Sequence, residues 1–342
     1  MPNMCQAGAD AAPAAASRAL ESAIGKARRI LVSSHVRPDG DAIGSQLAML
    51  HDLRARGKEV RVVDDAPPQA IYRFLEGFPD IRRAPDGLDG PFDLAIALDC
   101  QGLDRLGSVA EAFRACPEVA NLDHHASNDR FGTIRIVEPD AAATAEVLFR
   151  HFSSAGRPVT EAMAKALWAG LASDTGRFLH SNTSASCLET AAALVRAGVS
   201  PGEMGNRLYR DFTFPQMRLQ SLAASSIRLH LGGRVAILRA TEAMERESGA
   251  RYEELADLVE FPRSIRGVEV AAVLSPLRDG SGTRASLRSN RIFDVDALAR
   301  PFKGGGHRHA AGCTIESPMD EAEGILVRAI EAAGLPPAGG AP

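Results

Sequence analysis

One stretch near the middle of the chain, residues 121–128, carries a carboxylate and two imidazoles on adjacent positions, Asp123, His124 and His125. It follows the apolar pair Val119-Ala120. Side chains alternate along a strand, so three consecutive polar residues cannot all face a dry core, and we expect them at the carboxyl end of a strand. Open α/β sheets place their active sites at that edge. For this motif alone, a polar turn with one hydrogen-bonded histidine is the alternative.

Three further stretches carry residues of the same kind. His35, Asp39 and Asp41 lie between an apolar run and a helical pattern, Asp99 ends another apolar run, and Asp174 follows a helical segment. Asp41 alone could serve as a helix cap. A cap does not explain why a second aspartate and a histidine share that short loop.

These stretches together supply four carboxylates and two imidazoles. One hard divalent ion seldom uses so many protein ligands while leaving room for a substrate, but two neighbouring ions can share them. Oxygen and nitrogen donors without cysteine suit manganese or magnesium better than structural zinc. Such an ion pair suits the hydrolysis of phosphate esters. The candidate ligands are His35, Asp39, Asp41, Asp99, His124 and Asp174.

The elements that must position these side chains follow an alternating pattern. Near-continuous apolar strands separated by helical patterns predict a parallel sheet covered on both faces, with the strand ends meeting at one edge. Predicted strands cover residues 28–35, 59–65, 91–100 and the run that ends at 123–124, and predicted helices cover 41–50, 141–152, 161–172 and 186–198.

A second pattern follows a polar, helical connector at residues 201–228. Strands at 234–238, 268–274 and 284–289 predict a smaller α/β domain over 229–335. The overall expectation is an α/β protein: a doubly wound, mainly parallel N-terminal domain over 19–200, the linker and the smaller domain, with the active-site cleft between the two domains.

The glycines at 304–306 are the most informative feature of the second half. Three glycines let a backbone approach a ligand closely, and a helix starting there would offer free amides to a phosphate. A flexible turn is the alternative for a glycine triplet alone. The His-x-His-Ala-Ala-Gly that follows makes the stretch more specific.

Bulk properties limit the class of protein. A length of 342 residues favours two domains. The formal net charge is −4, and the sequence has no run of Lys and Arg. This charge suits short ligands with few phosphates better than long duplex nucleic acid. Five scattered cysteines and no signal peptide predict reduced thiols in the cytoplasm. No apolar stretch approaches the ~20 residues that cross a bilayer. Residues 1–18 and 336–342 are expected to be frayed tails.

Taken in order, the motifs resemble those of the DHH-family phosphoesterases with a DHH-associated C-terminal domain, and most closely the oligoribonuclease and 3′,5′-bisphosphate nucleotide phosphatase branch. The resemblance covers nearly the whole chain, and no motif residue is missing. The motifs are His-Val-Arg-Pro-Asp-Gly-Asp-Ala-Ile-Gly-Ser at 35–45, Asp99, Asn-Leu-Asp-His-His-Ala-Ser-Asn at 121–128, Asp-Thr-Gly at 174–176 and Gly-Gly-Gly-His-Arg-His-Ala-Ala-Gly at 304–312.

The resemblance implies a role for each motif residue. One metal would be held by His35, Asp39 and Asp99, and the other by Asp41, Asp99, His124 and Asp174, with Asp99 as the bridge. Two catalytic roles are implied: Asp123 would orient His124, and His125 would face the scissile phosphate. The implied substrate-binding residues are Arg288, Ser289, Gly304, Gly305, Gly306 and His307.

The resemblance implies a cytoplasmic hydrolase that acts on short RNA and on adenosine 3′,5′-bisphosphate. It would use two divalent cations, with manganese favoured over magnesium. A phosphodiesterase of cyclic or linear dinucleotides is the nearest alternative enzyme, and a nucleotide sensor without turnover is the alternative from another class. Long duplexes and membranes are not expected as partners. The oligomeric state stays open, a homodimer included.

Overall fold

The chain forms two compact units, Met1–Asp211 and Phe212–Pro342, in a computed structural model that describes residues 11–252, 255 and 258–335. Both units are α/β, as predicted, and each is built around its own sheet. Among the described residues, no helix has the length and apolar character needed to span a membrane.

The sheet of the first unit has six parallel strands in the order β3-β2-β1-β4-β5-β6. The order reverses between β1 and β4, and in open α/β sheets ligands bind outside the carboxyl ends of the strands at such a point. The parallel sheet predicted from the sequence is confirmed. Its two short edge strands, β3 and β6, were not predicted. The strands are β1 Arg29–Ser33, β2 Glu59–Asp64, β3 Ile81–Arg83, β4 Leu94–Leu98, β5 Val119–Asp123 and β6 Ile134–Val137.

Both faces of this sheet are covered. Ile30 and Val32 of β1 belong to one buried hydrophobic cluster, whereas Leu31 belongs to another on the opposite face with Phe113. Side chains alternate along a strand, so a strand buried on both sides is apolar throughout. The helices of this unit are α1 Ala11–Lys26, α2 Gly40–Ala55, α3 Ala110–Arg114, α4 Thr144–Ser154, α5 Glu161–Asp174, α6 Ala185–Arg196 and α7 Pro201–Tyr209, with 3-10 segments at Ala70–Tyr72, Phe78–Asp80 and Leu103–Val109.

The predicted N-terminal tail differs from the structure. Residues 11–18 belong to α1, where Leu20 and Ile24 are fully buried and Ser17 Oγ lies 2.7 Å from Nδ1 of His151 on α4. Alanine has the highest helix propensity, and these contacts anchor the helix to the unit. Residues 1–10 and the predicted C-terminal tail, 336–342, lie outside the described residues.

The second unit contains a six-stranded mixed sheet in the order β11-β12-β10-β9-β8-β7, in which β8 and β9 are parallel and the other pairs antiparallel. Residues 201–228 include α7 of the first unit and α8 of the second, and their role as a linker stays a prediction. The strands are β7 Arg228–His230, β8 Val235–Arg239, β9 Val270–Pro276, β10 Thr283–Ser289, β11 Gly305–His307 and β12 Ala310–Ile315. The helices are α8 Phe214–Ser225, α9 Glu242–Ser248, α10 Glu260–Arg263, α11 Val295–Ala299 and α12 Met319–Ala332, with 3-10 segments at Leu231–Gly233 and Arg300–Phe302.

The glycine triplet does not begin a helix, in contrast to the sequence-based expectation. It enters strand β11, where Gly305 pairs with Gly312 and Gly306 with Ala311 of β12. A Cβ on Gly306 would lie 2.3 Å from the carbonyl oxygen of Ala310. The absence of side chains here lets the neighbouring strand approach.

Close packing of α2 against α5 holds the first unit together on one face of the sheet. A Cβ on Gly44 of α2 would lie 2.3 Å from the carbonyl oxygen of Ala166 on α5, which is backbone and cannot turn aside. We expect Gly44→Ala to lower the free energy of unfolding by about 2 kcal/mol, because the helices must separate.

Gly205→Ala is the matched control, because Gly205 lies inside α7 with nothing within 4 Å of a new Cβ. There the added methyl group should stabilise the helix by up to about 1 kcal/mol. Urea unfolding of both variants measures the difference. Equal stability of the two variants would show that α2 and α5 are not in close contact.

Candidate metal centre

The loop after β1 presents His35, Asp39 and Asp41 at the carboxyl edge of the parallel sheet. Asp39 is the N-cap of α2, since its Oδ1 accepts the backbone N–H groups of Asp41 at 3.0 Å and Ala42 at 3.2 Å. The capping role considered for Asp41 therefore belongs to Asp39. His35 Nδ1 contacts the carbonyl oxygen of Val36 at 2.8 Å, and its Nε2 lies 4.0 Å from Asp39 Oδ2.

Asp41 is fully buried and is held by the start of another helix. Its carboxylate accepts the backbone N–H groups of Thr144 at 2.5 Å and Ala145 at 2.9 Å, in the first turn of α4. The N-cap residue of α4, Ala143, has no side-chain cap of its own. Asp41 thus satisfies amides that a helix start leaves unpaired, and the positive end of the helix dipole favours its charge.

Asp99 lies between the two sets of imidazoles. Its Oδ2 is 3.5 Å from His35 Nε2, whereas its Oδ1 is 3.7 Å from His124 Nε2 and 3.6 Å from His125 Nδ1. Its backbone is left-handed, with φ 53°, which costs a residue with a side chain about 1–2 kcal/mol. Such conformations persist where the surroundings fix them, often at active sites.

Thr144 connects these two aspartates and was missed by the sequence analysis. Its hydroxyl donates to Asp99 Oδ1 at 3.1 Å while its backbone amide holds Asp41. The available signal was the position of Thr144 near the predicted start of a helix. The helix begins at Thr144 itself, and not at residue 141 as predicted. Threonine at a helix start commonly makes such polar contacts.

His124 and Asp174 complete the cluster. His124 Nε2 lies 3.1 Å from Asp174 Oδ2, and its Nδ1 lies 3.3 Å from the carbonyl oxygen of Ala141. Asp174 is the last residue of α5, so the packing of α5 against α2 brings its carboxylate to the edge where the strands end. The ring contact with Ala141 fixes the orientation of His124.

Among the described residues, three overlapping groups of side chains could hold a metal ion. Within each group, the ligand atoms lie within 4.8 Å of one another. One group shares Asp99 with the second and His124 with the third, so the three are contiguous. Their donors are carboxylate oxygens and imidazole nitrogens, which fit a divalent cation such as manganese or magnesium. The groups are His35 with Asp39 and Asp99, Asp41 with His124 and Asp174, and Asp99 with His124 and His125.

Charge crowding shifts the protonation of this cluster. Burial opposes the charged form of His35, but the hydrogen bond to Asp99 and the charge of Asp39 raise its pKa to about 10. Burial, with the charges of Asp99 and Asp174, raises the pKa of Asp41 well above its usual range. Burial would raise the pKa of Asp99, but its contacts with His35 and His125 lower it. Because metal ligands must be deprotonated, a bound cation would compete with protons for these side chains.

Asp123 orients a different histidine from the one expected. Its Oδ1 lies 2.6 Å from Nδ1 of His125 and also accepts the backbone N–H of His124 at 2.8 Å. Its Oδ2 accepts from Asn128 Nδ2 at 2.6 Å. Burial opposes the charged form of His125, but Asp123 and Asp99 raise its pKa. The ring of His124 instead contacts the carbonyl oxygen of Ala141 and the carboxylate of Asp174.

A further buried carboxylate, Asp64 at the end of β2, was also missed by the sequence analysis. Its Oδ1 accepts Nε2 of Gln46 at 2.6 Å and the backbone N–H of Ser34 at 3.1 Å, immediately before His35. Burial raises the pKa of Asp64 to about 6, against the hydrogen bonds from Gln46 and Ser34. Asp64 therefore fixes the start of the loop that carries His35. Its position at a strand end was the available signal.

The predicted substrate-binding residues of the second unit lie on β10 and β11. Arg288 is half-buried, and its Nη1 donates to the carbonyl oxygen of Leu287 at 3.0 Å. Ser289 is only 1% exposed, and its hydroxyl lies 2.8 Å from Nδ1 of His309, which the sequence analysis did not single out. Ser289 thus holds His309, and its own role in substrate binding stays a prediction. The side chain of His307 lies outside the described residues.

Comparison with known proteins is consistent with this arrangement. The N-terminal domain model of the DHH family matches residues 29–171, and the DHHA1 domain model matches residues 232–333. A Thermus thermophilus protein named bifunctional oligoribonuclease and PAP phosphatase NrnA is 33% identical over 306 residues, which cover 88% of this chain and 89% of that protein. The chain belongs to the DHH family.

A second relative and two solved structures extend the comparison. A Bacillus subtilis protein with the same name is 26% identical over 300 residues, covering 87% of this chain and 92% of the relative. A solved structure of an exopolyphosphatase-related protein from Bacteroides fragilis has a TM-score of 0.86 at 24% identity and covers 93% of this chain and 96% of its own. The structure of Thermus thermophilus RecJ in complex with Mn2+ has a TM-score of 0.53 at 16% identity, covering 96% of this chain and 55% of RecJ. Both structures share the fold, and the chain is a metal-dependent phosphoesterase.

Replacing Asp99 tests the centre directly. We expect Asp99→Ala to lose manganese binding and phosphodiester hydrolysis together, by more than about 100-fold, because this carboxylate belongs to two of the three groups. Isothermal titration with manganese and hydrolysis of bis(p-nitrophenyl) phosphate measure the two losses. Asp104→Ala, an exposed residue paired with Arg114, is the control. Near-normal turnover by Asp99→Ala would refute the shared position.

Replacing Asp123 tests the revised pairing with His125. We expect Asp123→Asn to lower kcat about 10- to 100-fold while manganese content stays at the wild-type level, because the ring of His125 loses its charged partner. Asp140→Asn, at an exposed position, serves as the control. Loss of manganese from Asp123→Asn would show that Asp123 supports the ligands and not His125.

Proposed function

We propose that this enzyme hydrolyses short oligoribonucleotides to mononucleotides and removes the 3′-phosphate from 3′-phosphoadenosine 5′-phosphate. The observation that carries the proposal is the contiguous set of ligand atoms joined by Asp99. The names of the Thermus and Bacillus relatives point to the same substrates. The net charge of −4 favours short ligands over long strands.

The metal assignment is part of this proposal. His35, Asp39 and Asp99 would hold one divalent cation, and Asp41, Asp99, His124 and Asp174 the other, with manganese favoured over magnesium. Bound there, the cations would supply an activated water and stabilise charge on the attacked phosphate. The opposite orientation of the two Asp99 oxygens, each toward a different imidazole, supports its role as the shared ligand.

The chain's own residues supply proton transfer and substrate positioning. Asp123 holds His125 through Nδ1, so Nε2 is the atom that would pass a proton to the leaving oxygen. In the second unit, Arg288 and the backbone at 304–306, together with His307, would bind the nucleotide. An arginine suits this task because its planar fork matches a phosphate. A cytoplasmic location belongs to the same proposal, and the free thiols of Cys100, Cys116, Cys187 and Cys313 support it.

A substrate panel tests the proposal. Purified protein with manganese is given 3′-phosphoadenosine 5′-phosphate, RNA dimers to pentamers, cyclic and linear adenosine dinucleotides, and pyrophosphate. We expect turnover of the bisphosphate and the short RNAs. Preference for dinucleotides would instead indicate a dinucleotide phosphodiesterase. Metal binding without turnover of any compound would indicate a sensor.

The same panel with Arg288→Ala tests the nucleotide contact. We expect KM for both substrate classes to rise on the order of tenfold while kcat and manganese content change little, because Arg288 would bind ground state and transition state alike. Arg266→Ala, an exposed arginine of the same unit, is the matched control. An unchanged KM for Arg288→Ala would remove this residue from the binding site.

A further inference from the structure

Three of the loops that leave the carboxyl edge of the parallel sheet carry a candidate metal ligand and, a few residues later in the chain, an exposed arginine. Arg37 follows His35 by two positions, Arg105 follows Asp99 by six, and Arg130 follows His125 by five. All three are exposed. Within the part of the chain that the structure describes, their guanidinium groups make no ion pair or hydrogen bond. We refer to Arg37, Arg105 and Arg130 as the arginine rim.

Hydrogen bonds join these loops into one continuous edge. The backbone N–H of Val36 donates to the carbonyl oxygen of Arg105 at 2.7 Å, which places the loops of Arg37 and Arg105 side by side. The N–H of Asp129, next to Arg130, donates to the carbonyl oxygen of Gln101 at 2.8 Å. The three arginines are therefore carried by a connected structure around the acidic centre.

The backbone at two of these positions is unfavourable for arginine. Arg37 and Arg130 both have φ 59°, in the left-handed region that glycine adopts more readily. An arginine in such a position suggests that its side chain has a use. Arg177 also has a left-handed backbone, but its guanidinium lies 4.2 Å from the centre of the Tyr209 ring, so we do not include it.

Acids on or beside these loops have contacts of their own, and Asp39, two residues after Arg37, caps α2. Asp104 lies 3.0 Å from Nη2 of Arg114, Asp129 Oδ1 accepts the backbone N–H of Phe131 at 3.0 Å, and Asp65 Oδ1 accepts that of Ser108 at 2.8 Å. The guanidinium groups of the rim are therefore available to an anion at the sheet edge that carries the candidate metal centre. The ligand of the rim should be an anion that carries several phosphates along a chain.

We propose that the arginine rim binds the internal phosphodiester groups of an oligoribonucleotide beyond the scissile one. This inference rests on the proposed function and refines it, since it assigns length preference to the first unit. A nucleoside bisphosphate has no such internal groups. The rim would therefore favour RNA of three or more nucleotides over the bisphosphate nucleotide.

Binding without turnover tests the rim itself. The variant R37Q/R105Q/R130Q is compared with R18Q/R28Q/R196Q, which removes the same charge from exposed positions of the same unit, with Arg28 just before the amino end of β1. The probe is a fluorescein-labelled pentaribonucleotide in EDTA, followed by anisotropy. We expect the rim variant to bind about tenfold more weakly. The slope of log Kd against the logarithm of the salt concentration should fall by about 2, because each lost phosphate contact contributes ~0.7. Equal Kd and equal salt dependence for the two variants would overturn the proposal.

Hydrolysis with manganese tests the length preference. For the rim variant, the loss of kcat/KM relative to the control should grow from 3′-phosphoadenosine 5′-phosphate through RNA dimers to pentamers, reaching about tenfold for the pentamer. A uniform loss for all substrates would overturn the proposal, because the rim would then act on the centre and not on internal phosphates. If wild-type protein hydrolyses none of these compounds while RNA binding still depends on the rim, the proposed function fails and the rim's role in binding stands.

Discussion

The burial of negative charge at the end of the parallel sheet is the constraint on which the rest of the first unit depends. Asp41 and Asp99 are almost completely excluded from water, and two carboxylates so placed repel each other. Burial of an unpaired charge costs far more than one interaction can return. The unit offsets this cost with the amides of α4, the hydroxyl of Thr144 and the imidazoles of three histidines.

The packing of α2 against α5 also helps to position these charged side chains. Gly44 and Gly170 let α2 and α5 approach so closely that a Cβ on Gly170 would lie 2.7 Å from Asp41 Oδ1. That approach brings Asp174, at the end of α5, to the imidazole of His124. Small residues at this contact therefore serve the geometry of the charged side chains as well as the hydrophobic core.

The sequence predicted the features that depend on local pattern. Apolar runs that end in Asp99 or in Asp123-His124-His125 identify strand ends, because side-chain alternation forbids three buried polar neighbours. Pairing between side chains was less predictable. Whether Asp123 meets His124 or His125, and whether Ser289 faces solvent, depends on backbone angles at the end of a strand that residue types do not specify. The glycines at 304–306 illustrate the same limit, since a triplet suits a helix start, a turn or a hairpin equally well.

The order of the candidate ligands along the chain determines when the complete metal centre can form. His35 and Asp174 are the first and the last of the candidate ligands along the chain, and the others follow β1, β4 or β5 or lie at the start of α2. During synthesis, a nascent chain would lack the complete set until α5 had left the ribosome. Proteolytic fragments would lack it as well. Hydrolysis at such a centre therefore requires that the chain has been synthesised through α5 and that these segments stay together.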